Sequence, residues 1–109
     1  MTFDEYQKQA KSTAQYSSSI PGWVYLTLGL TSEAGEVADK FKKIIRNKGS
    51  VFSIEDKAEI KKELGDVLWY LSQLAEELGY RFDEVAQANL AKLADRQTRN
   101  VIKSTGDNR

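Results

Sequence analysis

Two long stretches of this 109-residue chain repeat apolar residues at the pitch of an α-helix, and that period restricts the fold more than any other feature. From about Gly22 to Arg46 the stripe is Leu26, Leu30, Ala34, Val37, Phe41, Ile44 and Ile45. After a short connector, Ile60, Leu64, Val67, Leu68, Leu71, Leu74, Ala75 and Leu78 form a second and wider stripe. A helix with one apolar side must bury it against another element, so these two are expected to pack on each other or on neighbours. With one proline and seven glycines there are few interruptions, and helices are expected rather than sheets.

Two shorter helices complete the pattern. Thr2-x-x-Glu5 has the form of a capping box and opens a helix expected to run to about Tyr16, with Phe3, Tyr6, Ala10 and Ala14 on its apolar side. Ser17-Ser18-Ser19 breaks it, and Pro21 stands where the next helix can start. Asn47-Lys48-Gly49 stops the second helix, and Ser53-x-x-Asp56 caps the third. Gly79 ends the third, and a fourth is expected from near Asp83 to Val101 or Ile102, packing through Val85, Ala86, Leu90, Leu93, Ala94 and Val101. The expected fold is all-α, a four-helix bundle in one domain over residues 1–103, with 104–109 as a frayed tail. Trp69 lies off its helix's core stripe, on the side of Gly65, Ser72 and Glu76, and is expected in a subunit interface.

The charge balance excludes some functions. Lys+Arg and Asp+Glu are both 16, which leaves no bulk attraction to polymeric nucleic acid or to an anionic membrane. There is no apolar run of about 18 residues and no secretory pattern at the N-terminus, and a cytoplasmic protein is expected. Cysteine is absent, so disulfides and thiolate metal sites are excluded. Histidine is absent too, which removes the imidazole ligands of zinc enzymes and of di-iron Glu-x-x-His bundles.

Carboxylates carry the candidate chemistry. Glu33 and Glu36 are three apart on the second helix, and Glu63 and Asp66 repeat that spacing on the third. Residues three apart share a helix face, so each couplet aims two carboxylates the same way. At about 100° per residue, Glu33, Glu36, Lys40 and Lys43 fall along one flank of the apolar stripe, and Gly29 leaves space beside them. Glu63 and Asp66 hold the same position on their own helix, with Glu59 and Tyr70 nearby. One couplet alone is an ordinary feature of a solvated helix. Two at matched positions would form an anionic cluster that repels itself unless protons, basic side chains or cations neutralise it; a metal site is the working expectation, and oxygen ligands alone favour Mg²⁺ or Mn²⁺. On the fourth helix Asn89, Lys92, Arg96 and Arg99 make a polar and basic stripe able to donate to phosphate or base. Trp23 and Tyr25 could stack on a base, but core anchoring is the expected role of both.

Three of these segments carry a resemblance. The run from Leu28 through Thr31-Ser32-Glu33-Ala34-Gly35-Glu36 to Asp39, and the run Lys62-Glu63-Leu64-Gly65-Asp66-Val67-Leu68-Trp69-Tyr70-Leu71, resemble the MazG-like nucleotide pyrophosphohydrolases. Asn89-Leu90-Ala91-Lys92-Leu93-Ala94-Asp95-Arg96 is similar to the Asn-x-x-Lys-Leu-x-x-Arg segment of the same all-α NTP pyrophosphatase group. The resemblance spans Leu28 to Arg96 with the segments in order. It implies an all-α homodimer or homotetramer that uses Mg²⁺ to hydrolyse an NTP or dNTP to the monophosphate and pyrophosphate. It implies that Glu33, Glu36, Glu63 and Asp66 are the metal ligands and catalytic groups, with one carboxylate available to orient the attacking water. Asn89, Lys92 and Arg96 would then meet the sugar or phosphates. Lys43 joins them as a phosphate-facing residue on flank geometry alone. Ser32 stands where many relatives carry a second glutamate, so the number of metal ions is left open. A non-catalytic helical module that binds a nucleotide or a partner protein is the alternative from a different class.

Overall fold

The computed structural model describes residues 1–109. It contains four helices and no strand: α1 (Phe3–Lys11), α2 (Gly22–Lys48), α3 (Ile54–Glu77) and α4 (Phe82–Thr98). The expected all-α class and helix order are those of the structure.

The helix ends follow local chemistry. At α1, Glu5 N donates to Thr2 Oγ1 at 3.0 Å, and Thr2 N donates to Glu5 Oε2 at 3.1 Å. At α3, Asp56 N donates to Ser53 Oγ at 3.0 Å and Ser53 N to Asp56 Oδ2 at 2.9 Å. Both capping boxes therefore close as their spacing implies. Lys48 Nζ, in the last turn of α2, reaches both Asp56 oxygens at 2.9 Å and ties the end of α2 to the start of α3. Gly49 terminates α2 at φ 58°, the left-handed conformation that costs glycine least.

Two helices are shorter than their pattern suggests. α1 stops at Lys11 rather than near Tyr16, because Ser12 Oγ and Thr13 Oγ1 donate to the carbonyls of Gln9 and Ala10, each at 2.7 Å. These hydroxyls occupy acceptors that the next turn would use. α4 ends at Thr98, before Val101, where Asn100 takes φ 56° and Val101 N donates to Arg96 O at 2.9 Å. Residues 104–109, expected as a frayed tail, turn back toward α4, and Asp107 accepts from Arg96.

α3 is the spine of the fold. α2 lies along it, α1 and α4 pack on it and on each other, and α2 approaches neither α1 nor α4. The junction of α1, α3 and α4 is polar and buried. Gln7 Nε2 donates to Tyr80 O at 3.0 Å and Ser72 O at 3.2 Å, while Gln7 Oε1 accepts from Phe82 N at 3.0 Å. One amide thereby satisfies the loop before α4 and the first residue of that helix. Asp4 adds an acceptor for Asp83 N and pairs with Arg81, both at 2.9 Å.

Trp69 corrects an expectation. Its indole Nε1 donates to Thr13 Oγ1 at 2.9 Å, and neighbouring Ser72 is fully buried. Around Trp69, Ser72 and Glu76 the side of α3 expected to meet another subunit is covered instead by the chain's own N-terminal segment, while Gly65 on the same side stays exposed. Apolar surface is exposed elsewhere: Leu28, Ile45, Leu64, Leu71, Leu78, Val85, Leu90 and Leu93 are all exposed, and only ten of 109 residues are buried. The accessible surface is 7997 Å², against about 6,100 Å² for a compact monomer of this mass. The radius of gyration is 16.9 Å, against about 13 Å for a compact chain of this length.

Candidate metal centre

The packing of α2 along α3 brings three of the four couplet carboxylates together. Glu33, Glu63 and Asp66 each place one oxygen within 4.8 Å of the others. Glu33 and Glu63 are half-buried at the seam between the helices, and Asp66 is exposed at its rim. Partial burial raises the Glu33 pKa, and the charges of Asp66, Glu63 and Glu36 raise it further. Glu36 is exposed and lies outside the trio, although its charge is felt at Glu33.

Gly29 sets how closely the helices meet beside the trio. A Cβ at this position would overlap the Tyr70 ring, so the ring of α3 fits against α2 only because glycine is there. Burial raises the Tyr70 phenol pKa, with the Tyr25 hydroxyl and the charges of Glu33 and Asp66 adding to the shift. Tyr70 belongs to a row of aromatic rings: Trp69 lies 5.0 Å from it on one side, Tyr25 lies 6.4 Å away, and Tyr16 stacks on Tyr25 at 5.1 Å. Sequence reading placed Tyr70 near the couplet but missed this row, because Tyr16 comes from a loop whose path no periodicity describes. The space reserved by Gly29 was its one visible signal.

The other side of the trio is basic. Lys40 Nζ lies 3.8 Å from Glu63 Oε1. Lys40 and Lys43 line a cavity of about 240 Å³ together with Asn47, Lys48, Asp56 and Glu59. Lys43 is paired with Asp39 at 2.6 Å, and hydrogen bonds from Lys43 and Lys42 hold the Asp39 carboxyl down to about 2.

The α4 residues lie elsewhere. Asn89 and Lys92 line a cleft of about 450 Å³ with Tyr80, Glu84, Val85 and Ala88. Arg96 is only 5% exposed, and its Nη2 donates to the Asp107 carbonyl at 2.6 Å and to Asp107 Oδ1 at 3.1 Å. Because α2 and α4 do not approach each other, one chain does not join the basic stripe to the carboxylates of α2.

The donor set fits a hard divalent cation. Three carboxylates converge where like charges repel, and a chain without histidine or cysteine offers no softer side-chain ligand. The profile of the MazG nucleotide pyrophosphohydrolase domain matches residues 24–101. The chain belongs to the MazG nucleotide pyrophosphohydrolase family. Its MazG segment contains both couplets and the Asn89, Lys92 and Arg96 stripe, and it leaves Asp107 outside. The chain is also similar to the Gene 37 protein of Mycobacterium phage L5, with 46% identity over the whole of both chains. No solved structure matches significantly. No helix of this MazG-family chain is long and apolar enough to cross a membrane.

Proposed function

We propose that the protein is a Mg²⁺-dependent nucleoside triphosphate pyrophosphohydrolase that converts an NTP or dNTP to the monophosphate and pyrophosphate. The convergence of Glu33, Glu63 and Asp66 at the α2–α3 seam, within a chain of the MazG family, carries this reading. Mg²⁺, or Mn²⁺ in its place, would neutralise phosphate charge and make a nearby water more acidic. Glu33, Glu63 and Asp66 would hold the cation. Glu36, one turn from Glu33 and outside the trio, orients the water and takes its proton as the new oxygen–phosphorus bond forms at the α-phosphate. The bond from that phosphorus to the bridging oxygen breaks, and pyrophosphate leaves. Lys40 borders the trio at Glu63 and, with Lys43 in the adjoining cavity, neutralises the departing charge.

The same reading makes the enzyme a homodimer or homotetramer. The surplus of about 1,900 Å² over a compact monomer is what a chain contributes to an extensive subunit interface. A second copy covers the exposed leucines of α3 and α4 and brings Asn89 and Lys92 of one chain toward the carboxylates of another.

A pyrophosphate-release screen over canonical and damaged nucleoside triphosphates, with Mg²⁺ and with Mn²⁺, tests the activity and names the substrate. Turnover with at least one triphosphate and either metal is expected, with none in chelator. Nucleotide binding without pyrophosphate release from any substrate would instead identify a non-catalytic module of the same fold.

A further inference from the structure

The buried Arg96 guanidinium and the Lys92 ammonium converge on one carboxylate, and that carboxylate comes from the chain's last turn. Asp107 Oδ1 accepts from Lys92 Nζ and from Arg96 Nη2, both at 3.1 Å, and the Asp107 carbonyl accepts from Arg96 Nη2 at 2.6 Å. Both cations lower the Asp107 pKa, so the group is an anion at neutral pH. The pair is asymmetric in a telling way. Arg96 is 5% exposed at its side chain, whereas Asp107 is 80% exposed. A guanidinium fixed in α4 is thus met by a carboxylate that solvent reaches freely, on a C-terminal turn whose Arg109 donates back to the carbonyls of Val101 and Ile102, each at 3.1 Å. Gly106, at φ 87°, makes that turn.

A fixed lysine and arginine four residues apart on a helix form an anion seat suited to phosphate oxygens as well as to a carboxylate. We propose that Asp107 is an internal ligand of this seat, and that the C-terminal turn is a latch which the phosphates of the substrate must displace. The inference rests on the placement of Lys92 beside the substrate under the proposed function, and it adds Arg96, which shares the Asp107 carboxylate with Lys92. The latch lies beyond the MazG match, which ends at residue 101. Its effect is competitive. The seat is open to a phosphate only in the fraction of molecules whose turn has lifted, and apparent affinity falls by that fraction.

The test compares the full chain with two variants that weaken the latch by different routes and leave Lys92 and Arg96 in place. Asp107→Asn removes the charge, and Gly106→Val opposes the positive φ of the turn. Binding of inorganic tripolyphosphate is measured by calorimetry without metal, which keeps the readout independent of turnover. Both variants are expected to bind about five- to tenfold more tightly than the wild type. Adding Lys92→Ala is expected to abolish that gain. If Asp107→Asn binds like the wild type while Lys92→Ala binds more weakly, the seat stands and the latch is refuted. Weaker binding by Asp107→Asn also refutes it, since Asp107 would then support the seat rather than compete for it. If neither Lys92→Ala nor Asp107→Asn alters binding, the assignment of the α4 stripe to the substrate falls and the latch falls with it.

Discussion

Glu33 is half-buried and faces the charges of Asp66, Glu63 and Glu36. Its raised pKa has a definite sign for stability. The metal-free fold favours the protonated form, so the stability linked to this group is present below its unfolded pKa and lost as pH rises through the raised folded value. At neutral pH the metal-free protein therefore carries a repulsion that a divalent cation bound as proposed would relieve. Glu33→Gln is expected to raise the melting temperature of the chelated protein by roughly 1–3 °C. The same substitution is expected to abolish the further rise that Mg²⁺ gives the wild type. Differential scanning calorimetry with and without Mg²⁺ checks both signs, and a Glu33→Gln protein still stabilised by Mg²⁺ would remove Glu33 from the site. The flank position of Glu33 and Glu63 beside their apolar stripes was legible in the spacing alone. That Glu36 stands outside the trio was not, because a couplet gives direction along one helix but not the rotation of that helix against its neighbour.

Among the elements, α2 and α3 define the site, and two local features hold them in register. At Gly29, alanine would be a better helix former by about 1 kcal/mol, but overlap with the Tyr70 ring costs about 1–3 kcal/mol. Gly29→Ala is therefore expected to destabilise the wild type and to stabilise a Tyr70→Ala background. Urea denaturation of the four proteins in that double-mutant cycle measures the reversal of sign. At the α2–α3 corner, Asp56 accepts from Ser53 N and from Lys48, which holds its carboxyl down to about 2 against an ordinary value of 3.8. The stability it contributes is complete above about pH 4 and is lost as pH falls toward 2. Asp56→Asn is expected to flatten this part of the acid limb in urea midpoints followed from pH 5 to pH 2; an unchanged limb would place the acid sensitivity elsewhere. Ser53, Asp56 and Gly49 announce this corner in the sequence because caps and glycine stops act within a few residues. The end of α1 was less visible, since Ser12 and Thr13 terminate it through bonds to carbonyls that an apolar-period reading does not register.

For the whole molecule, the exposed leucines argue for assembly more strongly than Trp69, whose indole is engaged by Thr13 in the segment after α1. The 12.3 kDa chain is expected to sediment as a dimer or tetramer. Leu90→Glu with Leu93→Glu is expected to yield monomers and to lower kcat/KM at least tenfold, because the α4 stripe would then lose its proposed place beside another chain's carboxylates. Sedimentation velocity of a wild type that runs as a monomer at micromolar concentration would contradict this part of the account. The all-α class and helix order were legible because each long helix has its own apolar stripe. The open arrangement around α3 was not, since a stripe marks a surface to be covered without saying whether the same chain covers it. The central claim is hydrolysis of a phosphoanhydride at the Glu33, Glu63 and Asp66 trio, and its most direct measurement is pyrophosphate release by the wild type, Glu63→Gln and Asp66→Asn on the best substrate of the screen. With Mg²⁺ the wild type is expected to turn over and both variants, folded by circular dichroism, to lose at least 100-fold in kcat. Near wild-type turnover by either folded variant would contradict the account.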